Sequence, residues 1–147
     1  MSGTYTEATD AILAIFKTAW DASAPNPTLV DYQNVTPSGG VLLPPTTQLS
    51  WARVTLAHNG GQQSSLSGAL GTQRYDRLGL LLVQIFVPAG EGLSEAHTLA
   101  KIVADAYEGA STSNGVWFRN VQVNEVGPDG DWYQVNVIID FVYDEIK

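Results

Sequence analysis

Apolar residues recur at helical spacing in two stretches of the chain. The first follows Thr4 and Glu7, whose spacing is that of a capping box, and ends at the "APNP" of 24–27 because proline supplies no amide donor. The second covers 94–108 and precedes Gly109, a residue suited to a left-handed helix end. The two stretches predict helices with apolar faces formed by Ile12, Ile15, Phe16, Ala19 and Trp20, and by Ala96, Leu99, Ala100, Val103 and Tyr107.

Strand-like patterns occupy much of the remaining chain. "WARVTLAH" (51–58) alternates as a half-buried strand does, and 78–87 is apolar on both parities, which is typical of a central strand. "VWFRNVQVNEV" and "WYQVNVIIDFVY" form a hairpin around "GPDGD", and "LVDYQNV" is a short edge strand. We therefore expect one domain over 1–147 with an α+β fold, a two-layer sandwich. Its mainly antiparallel sheet would have about four to five strands, with two helices on one face.

A polar, glycine-rich spacer, "HNGGQQSSLSGALGTQRYDR", separates two of these strands. If both strands continue to a turn near Ser67, each leg has ~7 residues and reaches ~23 Å. An isolated two-stranded ribbon is marginal in water, so 59–75 is expected to be a β-hairpin arm that another subunit orders. Leu66 and Leu70 lie near its tip. In the free protein a mobile loop is the alternative.

Composition restricts the classes of partner and chemistry. The chain has 15 acidic and 7 basic residues, a formal net charge of −8, which argues against a nucleic-acid backbone as the main partner. It has no cysteine, which excludes disulfides, zinc–thiolate sites and cysteine nucleophiles. No apolar run reaches the ~20 residues of a membrane span, and no basic residue precedes Lys17 as a signal peptide would require. We expect a cytosolic product.

No catalytic, cofactor or metal motif is complete. The spacer lacks the lysine of a phosphate-binding loop and joins two strands, whereas a dinucleotide fingerprint joins a strand to a helix. Asp129 and Asp131 resemble the start of a calcium loop, but Gln134 stands where its glycine belongs, so a hairpin turn is the better interpretation. His58 could pair with Asp76, but no nucleophile elbow accompanies them. We expect no enzyme, no cofactor and no metal.

Several residues are candidates for contacts between subunits. Arg74 and Arg77 are two of four arginines and could reach carboxylates of a neighbour, the alternative being pairs within the hairpin. Trp51 and Trp132 lie on the more polar strand faces and are therefore interface candidates. The complete set is Leu66, Leu70, Arg74, Tyr75, Asp76, Arg77, Trp51 and Trp132.

The order of these segments resembles a known family. "RYDRLGLLLVQIFVPAGEG", the helix "SEAHTLAKIVADAYEG" and "GVWFRNVQVNEVGPDGDWYQVNVIIDFVYDE" are similar to tail terminator-like proteins of long-tailed bacteriophages and prophages. The first helix and "VDYQNV" fit the same layout, whereas 36–50 departs from it. The similarity depends on the order and spacing of these segments, because none of them contains a catalytic motif.

The resemblance implies a structural protein of the virion. Members of the family cap the growing tail tube as a ring, usually of six subunits, and present a surface to the head–neck connector. The expected partners are copies of the chain itself, the tail tube protein and the connector, with DNA passing through the lumen without specific binding. Another neck or tail-completion protein is the nearest alternative, and a small hydrolase or ligand-binding domain is a distant one.

Overall fold

Two helices and five strands make up the fold in a computed structural model that describes residues 5–23, 29–32, 50–63, 73–90, 92–112 and 115–146. Helix α1 ends immediately before the proline-containing segment, and α2 is followed by Gly109 at a positive φ of 73°, as the sequence predicts. The elements are α1 Tyr5–Ser23, β1 Leu29–Tyr32, β2 Trp51–Gln63, β3 Arg74–Pro88, α2 Ser94–Tyr107, β4 Trp117–Asp129 and β5 Trp132–Ile146.

The strands form one sheet in the order β1-β2-β3-β5-β4. β1 pairs with β2 in parallel, whereas every other pair is antiparallel. The strand β3 lies at the centre, and both parities of its last four residues, 85–88, are buried. The expected α+β fold with a mainly antiparallel sheet is thus confirmed.

The core lies between the helices and one face of the sheet, here called the helix face. Alternate residues of β2, β3 and β5 point into it, and both helices contribute their apolar stripes. The hydroxyl of Tyr107 in α2 donates a 2.7 Å hydrogen bond to the carbonyl oxygen of Ile12 in α1, which joins the two helices inside the core. Fully buried core residues include Ile12, Phe16, Val54, Leu81, Val83, Ile85, Leu99, Tyr107, Val137, Ile139 and Phe141.

Strands β2 and β3 are longer than the hydrophobic pattern predicts. Their ladder continues beyond His58 and Gly79, through a β-bulge, to the pair Gln63 and Tyr75. The two legs of the expected hairpin are therefore strands up to these residues. The proposed arm tip, 64–72, lies outside the described residues, as does most of the 36–50 segment.

Candidate assembly surface

The arm base is the end of the sheet from which the expected arm, 59–75, continues. We define it as 58–63 of β2, 74–79 of β3 and 141–145 of β5. The expectation of an isolated two-stranded ribbon is wrong for this part, because β5 pairs along the other side of β3 as far as Arg74. A central strand with neighbours on both sides has its backbone donors and acceptors satisfied within the chain.

The helix-face side of the arm base carries a compact ion pair. The guanidinium of Arg77 donates to the Glu145 carboxylate, from Nη2 at 2.9 Å and from Nε at 3.2 Å. It also lies 5.5 Å from the ring centroid of Tyr75, within cation–π range. Only 23% of the Arg77 side chain and 16% of the Glu145 side chain are exposed, so water screens this pair weakly.

His58 lies beside this ion pair and contacts two aromatic rings edge-on, those of Phe141 and Tyr143. Its Nε2 is 2.8 Å from the Tyr143 hydroxyl. Burial lowers the pKa of His58, the positive charge of Arg77 lowers it further, and Glu145 opposes both effects. The expected pair between His58 and Asp76 is wrong, because the strand register places their side chains on opposite faces of the sheet.

A second set of charges occupies the opposite face. Asp76 and Asp144 are direct cross-strand partners, and Nε of Arg74 lies 3.6 Å from Asp144. The pKa of Asp144 is raised, first by burial and then by its hydrogen bond with Asp76, whereas Arg74 acts in the other direction. The arginine proposed for contacts with a neighbour thus already has a carboxylate of its own chain nearby.

A glycine allows the arm base to pack closely. A Cβ atom on Gly79 would lie 2.4 Å from the carbonyl oxygen of Ala57 and 2.4 Å from Cζ of Phe141. No larger residue fits there unless strand or ring moves. Gly79 therefore lets the Phe141 ring lie against β3 at the start of the arm base.

The two tryptophan candidates lie on the face of the sheet opposite the helices, at the end away from the arm base. Trp51 is 2% exposed and stacks on Phe86 with ring centroids 4.3 Å apart, while Trp132 meets it edge-on at 6.3 Å. Among the described residues the Trp51 Nε1 finds no acceptor, and Arg53 lies over the indole at 5.1 Å. Trp51 is thus already packed within the monomer, and an interface role for it stays a prediction.

An apolar row crosses the face opposite the helices, from the arm base to β4. Leu78, Val142 and Trp117 are successive cross-strand partners on the face opposite the helices. Leu78 is 37% exposed and Trp117 is 66% exposed. The sequence alone does not reveal this row, because the strand register that aligns the three residues cannot be read from their separation along the chain.

The structure brings together four of the eight candidates, Arg74, Tyr75, Asp76 and Arg77, at the arm base. It adds Tyr143, Asp144 and Glu145, which the sequence did not indicate, and gives His58 a different partner from the one that the sequence suggested. Leu66 and Leu70 lie outside the described residues. Within the described ranges no group of three or more His, Asp or Glu side chains could hold a metal ion. No described helix is long and apolar enough to cross a membrane.

Comparison with known proteins assigns the family. The model of the phage tail terminator protein family matches residues 8–141. The chain belongs to the phage tail terminator family. This family is structural rather than enzymatic, and a tail terminator is a component of the virion tail.

The terminator fold is also found at low sequence identity. One solved structure superposes with a TM-score of 0.58 at 18% identity, covering 92% of this chain and 94% of the other. At this identity the match supports the fold alone. No curated protein matches the sequence. The arm base, the apolar row and the charge pairs described above therefore belong to a tail terminator, and they are the candidate surfaces for its assembly.

Proposed function

We propose that the chain caps the phage tail tube as a ring, ends polymerisation of the tube and offers the surface to which the head–neck connector attaches. The observation that carries this proposal is the family match, which spans 8–141 and so includes most of α1, all of α2 and most of the sheet. The partners are copies of the chain, six in a closed ring, together with the tube protein and the connector. Assembly takes place in the host cytoplasm.

The arm base supports a role in contacts with these partners. Its central strand is paired on both sides, and two arginine–carboxylate pairs join β3 to β5. A surface that is already ordered costs less conformational entropy when a partner binds. In this proposal 59–75, with Leu66 and Leu70 near its tip, contacts a neighbouring subunit or the end of the tube.

The charge balance supports a lumen through which DNA passes without binding. Each chain carries a net charge of −8, so a ring of several copies is strongly acidic. The carboxylates of such a ring repel the phosphates of DNA. Most basic side chains described here are already engaged: Lys17, Arg53, Arg74, Arg77 and Lys101 each lie within 3.6 Å of a carboxylate. Little positive charge is therefore left to retain DNA.

Electron microscopy of phage that lack the chain tests the terminator role. Overlong tails are expected, because nothing then stops addition of tube subunits. Tails of normal length without heads would overturn the proposal in favour of a head–tail joining protein. Unaltered particles would exclude both roles.

Removal of the arm tip tests the arm separately. Replacing 64–72 by a two-residue turn is expected to leave a folded monomer and to abolish assembly on the tube. Circular dichroism and thermal unfolding check the monomer. Infectious tails of normal length from this variant would exclude an assembly role for the arm.

A further inference from the structure

The two outer strands of the sheet run in opposite directions. β5 and β2 both run antiparallel to β3, and β4 runs antiparallel to β5. Since β1 is parallel to β2, β1 is antiparallel to β4. If copies of the chain stand side by side with the same orientation, β4 of one copy would meet β1 of the next as an antiparallel pair, the more stable of the two ladder types.

Among the described residues, no strand pairs with the outer side of β4 in its middle part. Bulges interrupt β4 between Phe118 and Asn120 and between Glu125 and Gly127, and Pro128 follows. Between them lie six residues, 120–125, without proline or lysine, the residues that commonly protect an edge from strand addition. Within the described ranges β4 pairs only with β5, apart from one bridge at its beginning.

The two edges match in the character of their faces. On the helix face β4 presents Val121 and Val123, the latter 45% exposed, while β1 presents Val30 and Tyr32. On the opposite face β4 presents three exposed amides and β1 presents Asp31, a carboxylate that amide groups can hydrogen-bond. The three amides are Asn120, Gln122 and Asn124.

The charges at both edges already have partners. Glu125 lies 2.7 Å from Nε2 of His97, and Asp31 accepts a 3.2 Å hydrogen bond from Nε of Arg53. No unpaired carboxylate of one described edge would therefore face another across the joint. Since like charges directly opposite each other destabilise a strand pair, this arrangement favours contact.

We propose that β4 of one copy pairs with β1 of the next copy, so that the sheets of the assembled ring join edge to edge. This inference rests on the ring of the proposed function and adds which strands form its contacts. The joint is heterologous, because the two edges differ. Heterologous contacts form a ring when the rotation from one copy to the next closes, as the proposed cap requires. The 120–125 stretch is longer than the four-residue β1, so β1 fits between the bulges.

Disulfide trapping tests the joint. The chain has no cysteine, so every disulfide arises from introduced residues. Asp31→Cys is combined in turn with Asn120→Cys, Gln122→Cys and Asn124→Cys, which cover three registers on one face. The variants replace the parent chain in assembling tails, which are then oxidised and run on non-reducing gels. At least one pair is expected to give a ladder of oligomers, since each copy carries both halves of the joint.

Matched controls separate a specific joint from chance collisions. Each single-cysteine variant is expected to stay monomeric, as is Thr18→Cys combined with Gln122→Cys, in which the partner position lies on the exposed surface of α1. The thermal midpoint of each variant is compared with that of the parent chain. A benzophenone side chain at position 122, followed by mass spectrometry, identifies the neighbour directly and does not depend on register.

The outcomes distinguish this inference from the proposed function. Rings at the tail ends together with a ladder, or with a cross-link from position 122 to 29–32 of another copy, support the joint. Rings that give no ladder in any register and no such cross-link overturn the joint and leave the terminator role intact. A cross-link from position 122 to a different tail protein also overturns it. Tail ends without rings overturn the proposed function, and the joint falls with it.

Discussion

The hydroxyl of Tyr143 lies 2.8 Å from Nε2 of His58, although 85 residues separate the two in sequence. This contact joins β2 to β5 across the central strand, within the arm base. It makes the arm base sensitive to the protonation of one imidazole.

Acid is expected to destabilise the fold through His58. Its pKa is lowered by burial and by Arg77, so the unfolded chain binds a proton more readily than the folded chain. The stability from neutral His58 is complete above the ordinary value of 6.5 and is lost as pH falls from there towards the lowered pKa. Thermal unfolding of the parent chain and of His58→Gln between pH 7.5 and 5 measures this effect, and the variant should lose less. Equal losses would contradict the assignment to His58.

The stability that depends on Asp144, which faces Asp76 across the strands, is expected to change with pH in the direction opposite to that of His58. Because the pKa of Asp144 is raised, the folded chain holds this proton more tightly, and the resulting stability is lost as pH rises through the raised value. Asp144→Asn should therefore raise the midpoint of urea unfolding at pH 7, where Asp76 and Asp144 repel each other. The gain should shrink as pH falls from the raised value towards 3.8, the ordinary value for this carboxyl, and should be gone below it. A variant less stable than the parent at pH 7 would show that the Arg74 contact dominates.

Gly79→Ala is expected to cost about 1–3 kcal/mol of unfolding free energy, because the added methyl group overlaps a backbone oxygen and an aromatic ring. Gly60→Ala is the matched control in the paired strand. There the nearest atom to the added Cβ is a Leu78 methyl group at 3.4 Å, an ordinary contact. Urea unfolding compares the two, and equal costs would mean that the Gly79 site relaxes freely.

The two arginines of the arm base are expected to differ. Arg77→Ala should cost about 1.5–3 kcal/mol, since it leaves the shielded Glu145 carboxylate without its charged donor. Arg74→Ala should cost no more than ~1 kcal/mol, because its pair is longer and more exposed. Chemical denaturation of both variants checks this order. Equal or reversed costs would contradict it.

Two tryptophans on the same face of the sheet provide another contrast. Trp51→Ala should cost about 3–5 kcal/mol, because the indole is buried against Phe86. Trp117→Ala should change the unfolding free energy by about 0.5 kcal/mol or less, since the side chain is 66% exposed. A large cost at Trp117 would mean that the apolar row stabilises the monomer.

The hydrophobic pattern predicted the elements better than it predicted their ends. The alternation in 51–58 and the apolar run 78–87 correctly identified β2 and β3, because their side chains fill the core. The next residues, Gly60 and Gly61 on one strand and Arg77 on the other, have no strand pattern. They are strands because β3 is paired on both sides, a tertiary effect that overrides local propensity.

The chemistry of the candidate surface was predictable only in part. The sequence indicated that Arg74 and Arg77 would pair with carboxylates, because the chain has many acidic residues and few arginines. It could not indicate Glu145 as the partner of Arg77, because 68 residues separate them and register across β3 and β5 cannot be read from composition. The strand register also explains why the suggested His58–Asp76 pair is absent: the two side chains lie on opposite faces of the sheet.

The continuity of β3 has a mechanical consequence. Its 15 residues extend about 50 Å at ~3.3 Å per residue, from the arm base into the buried core without interruption. A pull along the arm would load the hydrogen bonds to β2 and β5 together, in shear, rather than opening them one after another. Tension applied at the arm base would thus be transmitted along one strand into the buried core of the sheet.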